Sequence, residues 1–230
     1  MTLPVVAIRP EPGCSATVEA GREVGLAIER WPLFEVRPLA WEPPRADEVD
    51  ALLLGSANAV RHGGARLEPF RAKPAYAVGD STAAAAEEAG FAIAAVGQGG
   101  LQPLLDTLAG PLRLLRVTGA EHVPLEPPAG VAIQTRIAYE SAPLPLPPEL
   151  AQRLGAGSLV MLHSAAAARH FAAECDRLAV PRRSVGLAAL GPRIASAAGE
   201  GWREVRSASE PREAALLALA REMCHVSGGG

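Results

Sequence analysis

An α/β fold, built as two similar parallel-sheet domains joined by a hinge, is predicted by three features of the sequence. Short apolar runs alternate with alanine-rich helical segments along the whole chain. One block of the first half recurs in the second. Two proline-dense stretches, Pro38–Pro44 and Ser141–Pro148, interrupt the alternation and read as extended, semi-rigid connectors.

The elements follow in chain order. Val5–Ile8 reads as the first strand and Ser15–Arg30 as the first helix, ahead of the Pro38–Pro44 connector. Strands at Ala51–Leu54, Ala75–Val78 and Ala92–Val96 are each followed by a helical pattern, at Asn58–Arg66, Thr82–Ala89 and Leu101–Leu108. Leu112–Val117 and Val131–Tyr139 read as two further strands before the second connector. Beyond it, helices at Pro148–Leu154, Ala165–Leu178, Arg193–Ala198 and Pro211–Met223 alternate with strands at Ser158–Leu162, Ser184–Ala189 and Glu204–Arg206. Continuous apolar strands between helices imply sheets covered on both faces. Gly90, Gly110, Gly155 and Gly199 read as left-handed helix caps, and Ser227–Gly230 as a frayed tail.

The recurrence is ungapped. Ser56-Ala57-Asn58-Ala59-Val60-Arg61-His62 aligns on Ser164-Ala165-Ala166-Ala167-Ala168-Arg169-His170, with the serine, two alanines, arginine and histidine in the same places. Downstream, the Val78-Gly79 turn matches Leu190-Gly191 in the same order. The domains are expected at 38–141, as an insertion, and at 1–37 plus 142–230, as a discontinuous unit, with an active-site cleft between them.

Composition narrows the chemistry. With 49% hydrophobic and 20% charged residues among 230, the chain resembles a soluble globular protein. A net charge of −3 offers no basic field for nucleic acid. Cys14, Cys175 and Cys224 form no CxxC pair, and the five histidines have no HxxxH or HExxH spacing, so no metal is expected. Lys73 is the single lysine, which leaves one candidate for Schiff-base chemistry and excludes a GxxxxGK[ST] phosphate loop. Gly97-Gln98-Gly99-Gly100-Leu101-Gln102 begins like a dinucleotide fingerprint but has Gln102 in place of the third glycine, and no GxSxG elbow occurs. No nucleotide cofactor is expected. Nor does any stretch approach the ~20 apolar residues of a membrane span, and no secretory leader is evident; a cytoplasmic location is expected.

In such sheets ligands bind beyond the carboxyl ends of the strands, where helices begin. Ser56, Asn58, Thr82 and Ser164 lie in those loops, where small residues expose backbone N–H groups to anions. Each is also a good helix cap, so a ring of them facing one ligand is what favours an anion. His163 stands at a strand end, as an acid–base candidate, a solvated loop residue or a capping donor, while His62 and His170 occupy equivalent helix positions that suggest packing or surface. Tyr76 reads as core. Tyr139 ends an extended run just before the second crossing, as either a proton donor or an amphipathic packing residue. A phenol, with a reference pKa of about 10, keeps its proton at neutral pH and can donate it.

Several segments together resemble the uroporphyrinogen-III synthase family along nearly the whole chain. They are Arg9-Pro10, the run from Asp50 to Val60 with Ser56-Ala57-Asn58 at its turn, Ala77-Val78-Gly79-Asp80-Ser81-Thr82-Ala83, Ala138-Tyr139-Glu140 and His163-Ser164. The resemblance implies two α/β domains on a two-stranded connector and a cofactor-free lyase reaction. In that reaction the linear tetrapyrrole hydroxymethylbilane closes to uroporphyrinogen III, losing water and inverting ring D through a spirocyclic intermediate. Tyr139 matches the family's hinge tyrosine and would be the proton donor. Ser56, Asn58, Thr82 and Ser164 would hold carboxylates, with Arg9 as a cationic partner or a structural residue. Two departures stand out. Arg193 follows Pro192 where many relatives carry a threonine pair, and would donate to a carboxylate or face solvent. Gly119–Gly130 is short and proline-rich, offering less helix than usual before the hinge strand. The chain is expected to act on its substrate as a monomer. The competing reading is a non-catalytic hinge protein that binds a small polyanion.

Overall fold

The computed structural model describes residues 3–225; the Ser227–Gly230 tail lies outside them. The chain begins with β1 (Val5–Ala7), α1 (Gly13–Glu23), β2 (Ile28–Arg30) and β3 (Phe34–Pro38). Next come β4 (Ala51–Leu54), α2 (Ala57–Gly63), β5 (Ala75–Val78), α3 (Asp80–Glu88), β6 (Ile93–Gly97), α4 (Leu101–Leu105), β7 (Leu112–Gly119) and β8 (Val131–Pro143). The remainder is α5 (Pro148–Ala156), β9 (Ser158–Leu162), α6 (Ala165–Arg177), β10 (Val185–Ala189), α7 (Pro192–Ala197), β11 (Glu204–Ser207) and α8 (Glu213–His225). Short 3-10 turns cover Ala46–Glu48, Gly64–Phe70 and Arg182–Ser184.

Two compact units result, the chain leaving the first after Glu35 and returning to it at Ala142. In the first, the strand order is β11-β10-β9-β1-β2, with parallel pairing throughout. Every residue of β1, β9 and β10 is buried. One face packs Val6, Val160, Leu162 and Leu187 against Leu150, Phe171 and Trp202. The other packs Val5, Leu159 and Met161 against Leu216 and Ala220 of α8. In the second unit the order is β3-β8-β7-β4-β5-β6, parallel from β8 to β6. Leu52, Leu54, Leu115 and Val117 face Ala59 and Ala86 of α2 and α3, while Ala51, Leu53 and Leu114 face Leu104 and Leu105 of α4.

The differences from sequence expectation lie at element ends. The first helix stops at Glu23 instead of Arg30: Gly25 turns the chain with φ +73°, and Ile28–Arg30 pairs with β1 as a strand. Phe34–Pro38, assigned to no element from the sequence, is strand β3 beside β8. The Leu144 amide donates to the Leu33 carbonyl at 2.9 Å and the Leu39 amide to the Ala138 carbonyl at 2.8 Å, so these two segments run antiparallel. α2 ends at Gly63 because Gly64 adopts φ +64°, and α4 keeps only Leu101–Leu105. β8 runs past Tyr139 to Pro143. Gly90 and Gly199 are left-handed as expected. Gly155 instead lies inside α5, whose cap is Gly157 at φ +108°, and Gly110 precedes a cis proline.

Candidate active site

In both sheets the strand order reverses direction about a central pair: β1 and β9 in the first unit, β4 and β7 in the second. At such a switch point the loops after the two strands diverge and leave a crevice. The two units use that crevice differently.

In the first unit it is filled by a polar network. Arg9, just past β1, donates from Nη1 to Glu213 Oε2 at 3.2 Å and to Thr17 Oγ1 at 3.4 Å. Thr17 Oγ1 donates to Glu213 Oε1 at 2.6 Å, and His163 Nε2 lies 3.2 Å from Glu213 Oε2. Burial acts to raise the Glu213 pKa, but hydrogen bonds from His163 and Thr17 and the Arg9 charge outweigh it and hold the carboxyl below its ordinary value. The His163 side chain is 7% exposed, which removes the solvated loop residue from its readings. Ser164 caps α6, its hydroxyl accepting from the Ala167 amide at 3.1 Å. Ser164 and Arg193 line a shallow depression of about 340 Å³ with Leu190, Gly191 and Pro192, and Arg193 is exposed.

In the second unit the switch point opens into a cavity of about 940 Å³. β4 delivers Gly55 and Ser56 to it; Ser56 caps α2, accepting from the Asn58 amide at 3.2 Å. β7 delivers Arg116, Val117 and Thr118. A register shift at Thr118/Gly119 sets Gly119 opposite Tyr139, which also lines the cavity. The missing side chain matters, since a Cβ on Gly119 would lie 2.6 Å from Tyr139 Cε2. The Tyr139 ring also meets His62, centroids 5.9 Å apart. Burial, then the Arg61 charge, push the His62 pKa down, so the ring flanking the phenol is neutral at pH 7. The segment from Glu121 to Pro127 forms a wall of the cavity. Gln102 pins it, accepting from the Glu126 amide and donating to the Glu126 carbonyl, both at 2.9 Å.

Of the residues singled out in the sequence, Ser56 and Tyr139 therefore share one cavity, while Arg9, Ser164 and Arg193 belong to the other unit. Asn58 is half-buried in the first turn of α2. Thr82 lies in the first turn of α3 and is only 3% exposed. Sequence reasoning missed Glu213, Gln102 and Arg116. Arg116 had left a signal, as a charged residue set among Leu114, Leu115 and Val117 of an apolar strand. Among the described residues no group of three or more His, Cys, Asp or Glu could hold a metal ion, and no helix is long and apolar enough to cross a membrane.

The family model described as uroporphyrinogen-III synthase HemD matches residues 15–218. The chain belongs to the uroporphyrinogen-III synthase family. It is thus a lyase of tetrapyrrole biosynthesis acting on a small molecule, cyclising hydroxymethylbilane to uroporphyrinogen III. The fold agrees. The uroporphyrinogen-III synthetase of Helicobacter pylori 26695 superposes with a TM-score of 0.65 at 18% identity, over 96% of this chain and 99% of that one. A mutant uroporphyrinogen III synthase from Thermus thermophilus is similar at 20% identity, with a TM-score of 0.48 over 96% and 98% of the two chains. No protein of curated function matches by sequence.

Proposed function

We propose that Tyr139 is the general acid of this cyclisation. Its phenol gives a proton to the departing hydroxyl of hydroxymethylbilane, the C–O bond breaks with electrons supplied by the attached pyrrole, and water leaves. The observation that supports this is the seat of Tyr139: a half-buried phenol at a switch-point cavity, packed against Gly119 and a neutral imidazole. Ring closure needs one folded conformer of a flexible chain, which is a matter of positioning. Carboxylates of the substrate are held by Ser56, with the amides at the start of α2 and α3 beside Asn58 and Thr82. Ser164 and Arg193 serve the same purpose on the carboxyl edge of the other sheet. Exposed contacts of this kind contribute only ~0.3–1 kcal/mol each, so several must act together. Arg9 contributes as the structural cation that Glu213 and Thr17 already engage. The enzyme works as a cytoplasmic monomer in this reading, without nucleic acid, in keeping with its net charge of −3.

The test is a coupled assay in which hydroxymethylbilane is generated in situ and the oxidised porphyrin isomers are separated. Wild-type protein yields isomer III in proportion to its concentration. Tyr139→Phe lowers kcat by about 100-fold or more, the range of general-acid contributions, while folding normally. Isomer III formed by Tyr139→Phe at the wild-type rate would remove Tyr139 from the chemistry.

A further inference from the structure

The cavity of the second unit holds a group that this proton-transfer scheme does not use. Arg116 lies at the middle of a sheet, in register with Leu53 on β4 and Thr135 on β8. Leu114, two residues earlier on the same face, belongs to the apolar layer of Leu53, Leu104 and Leu105. Arg116 is buried, at 5% exposure, yet it lines the cavity.

A guanidinium keeps its proton inside proteins, so burial does not remove its charge. A buried charge is costly unless an opposite charge or acceptor meets it. For Arg116, Nε finds no hydrogen-bond partner among the described residues. Of the acidic residues that line the cavity, Asp106, Glu121 and Glu126, none pairs with it among the described residues. Other arginines at strand ends meet carboxylates, as with Arg9 on Glu213 and Arg113 on Asp50. The switch-point arginine of the first unit is thus paired with a protein carboxylate, and its counterpart in the second meets none among the described residues.

We propose that Arg116 anchors one carboxylate arm of the substrate. The arm enters the 940 Å³ cavity past Thr118 and pairs with the guanidinium, whose planar donors suit a carboxylate held by two parallel hydrogen bonds. The apolar surroundings strengthen that pair and make it selective for an acid chain long enough to reach the depth of β7. This assignment rests on the reading of the substrate as a polycarboxylate tetrapyrrole, and adds a residue that binds one of its arms in the cavity that Tyr139 also lines.

Arg116→Gln and Arg116→Lys test it in the full-length chain by two measurements. Equilibrium dialysis with uroporphyrin III, a stable polycarboxylate that does not turn over, gives Kd; the coupled assay gives KM and kcat. Arg116→Gln is expected to raise both Kd and KM by about 10- to 100-fold, the usual range for a lost charge-assisted bond, with kcat within about threefold of wild type. Arg116→Lys falls between, and the unfolding temperature of Arg116→Gln does not drop, because no protein partner is stranded. Unchanged Kd and KM would overturn the proposal, as would a loss confined to kcat. If the wild type binds uroporphyrin III through Arg116 but makes no isomer III, the anchor stands and the synthase reading falls. If isomer III forms and the variant's constants are those of the wild type, the reverse holds. If the wild type neither binds nor turns over, both fall.

Discussion

At Gly119 a hydrogen atom decides where a phenol can sit. The Tyr139 ring lies across the position a Cβ would take, with Cε2 at 2.6 Å and Cζ at 3.0 Å from it. A packed aromatic ring that must give way by a few tenths of an ångström moves its hydroxyl with it. Gly119→Ala is therefore expected to cost about 1–3 kcal/mol of stability by overpacking. It should also lower kcat by about tenfold or more, since small displacements of a reacting group are that expensive. A double-mutant cycle separates the two effects: in a Tyr139→Phe background Gly119→Ala still destabilises but no longer lowers kcat further. If the two substitutions multiply in kcat, Gly119 acts through something other than the phenol. Tyr139 could be singled out from the sequence because it stands before a proline-rich crossing. Gly119 could not, because its role depends on a register shift between β7 and β8 that no local pattern encodes.

Among the elements, legibility followed the same divide between local and non-local causes. α6 and β9 could be read almost to the residue, since a serine cap, an alanine-rich helix and an unbroken apolar run are local signals. β2 and β3 were missed because each holds its extended form by pairing with a distant partner, β1 and β8 respectively. The repeated serine turn has a clear structural meaning, as both Ser56 and Ser164 accept a backbone hydrogen bond from the helix they precede. Ser164→Ala should then cost about 1 kcal/mol, the usual value of a lost N-cap, measured by chemical denaturation. Ser164→Asp restores the cap and so recovers stability. If Ser164 also holds a substrate carboxylate, Ser164→Asp raises KM by placing like charge beside it, while its fold is sound. Recovery of both stability and KM would leave Ser164 as a cap and nothing more.

For the molecule as a whole, the first unit's switch point is a lock made of side chains, and pH is the means of opening it. Glu213 joins the segment after β1, helix α1, the end of β9 and the start of α8 through Arg9, Thr17 and His163. Its pKa in the folded chain is held below the ordinary 4.5 despite the opposing effect of burial. Glu174 behaves alike: its hydrogen bonds from Arg177, against a smaller cost of burial, and from the Leu146 amide lower it to about 2. A carboxyl with a depressed folded-state pKa binds protons more readily in the unfolded chain. Its stabilisation is complete above 4.5 and is lost as pH falls through the folded-state value. Thermal unfolding of the wild type should thus be nearly flat in pH from 7 to 5 as far as these two groups are concerned, then decline steeply between about 4.5 and 2. Glu213→Gln lowers the unfolding temperature at pH 7, where it strands Arg9, and the gap from wild type narrows as the wild-type carboxyl becomes protonated. A gap that stays constant from pH 7 to pH 2 would mean that Glu213 holds the four segments together by shape and hydrogen bonding alone, with its charge immaterial.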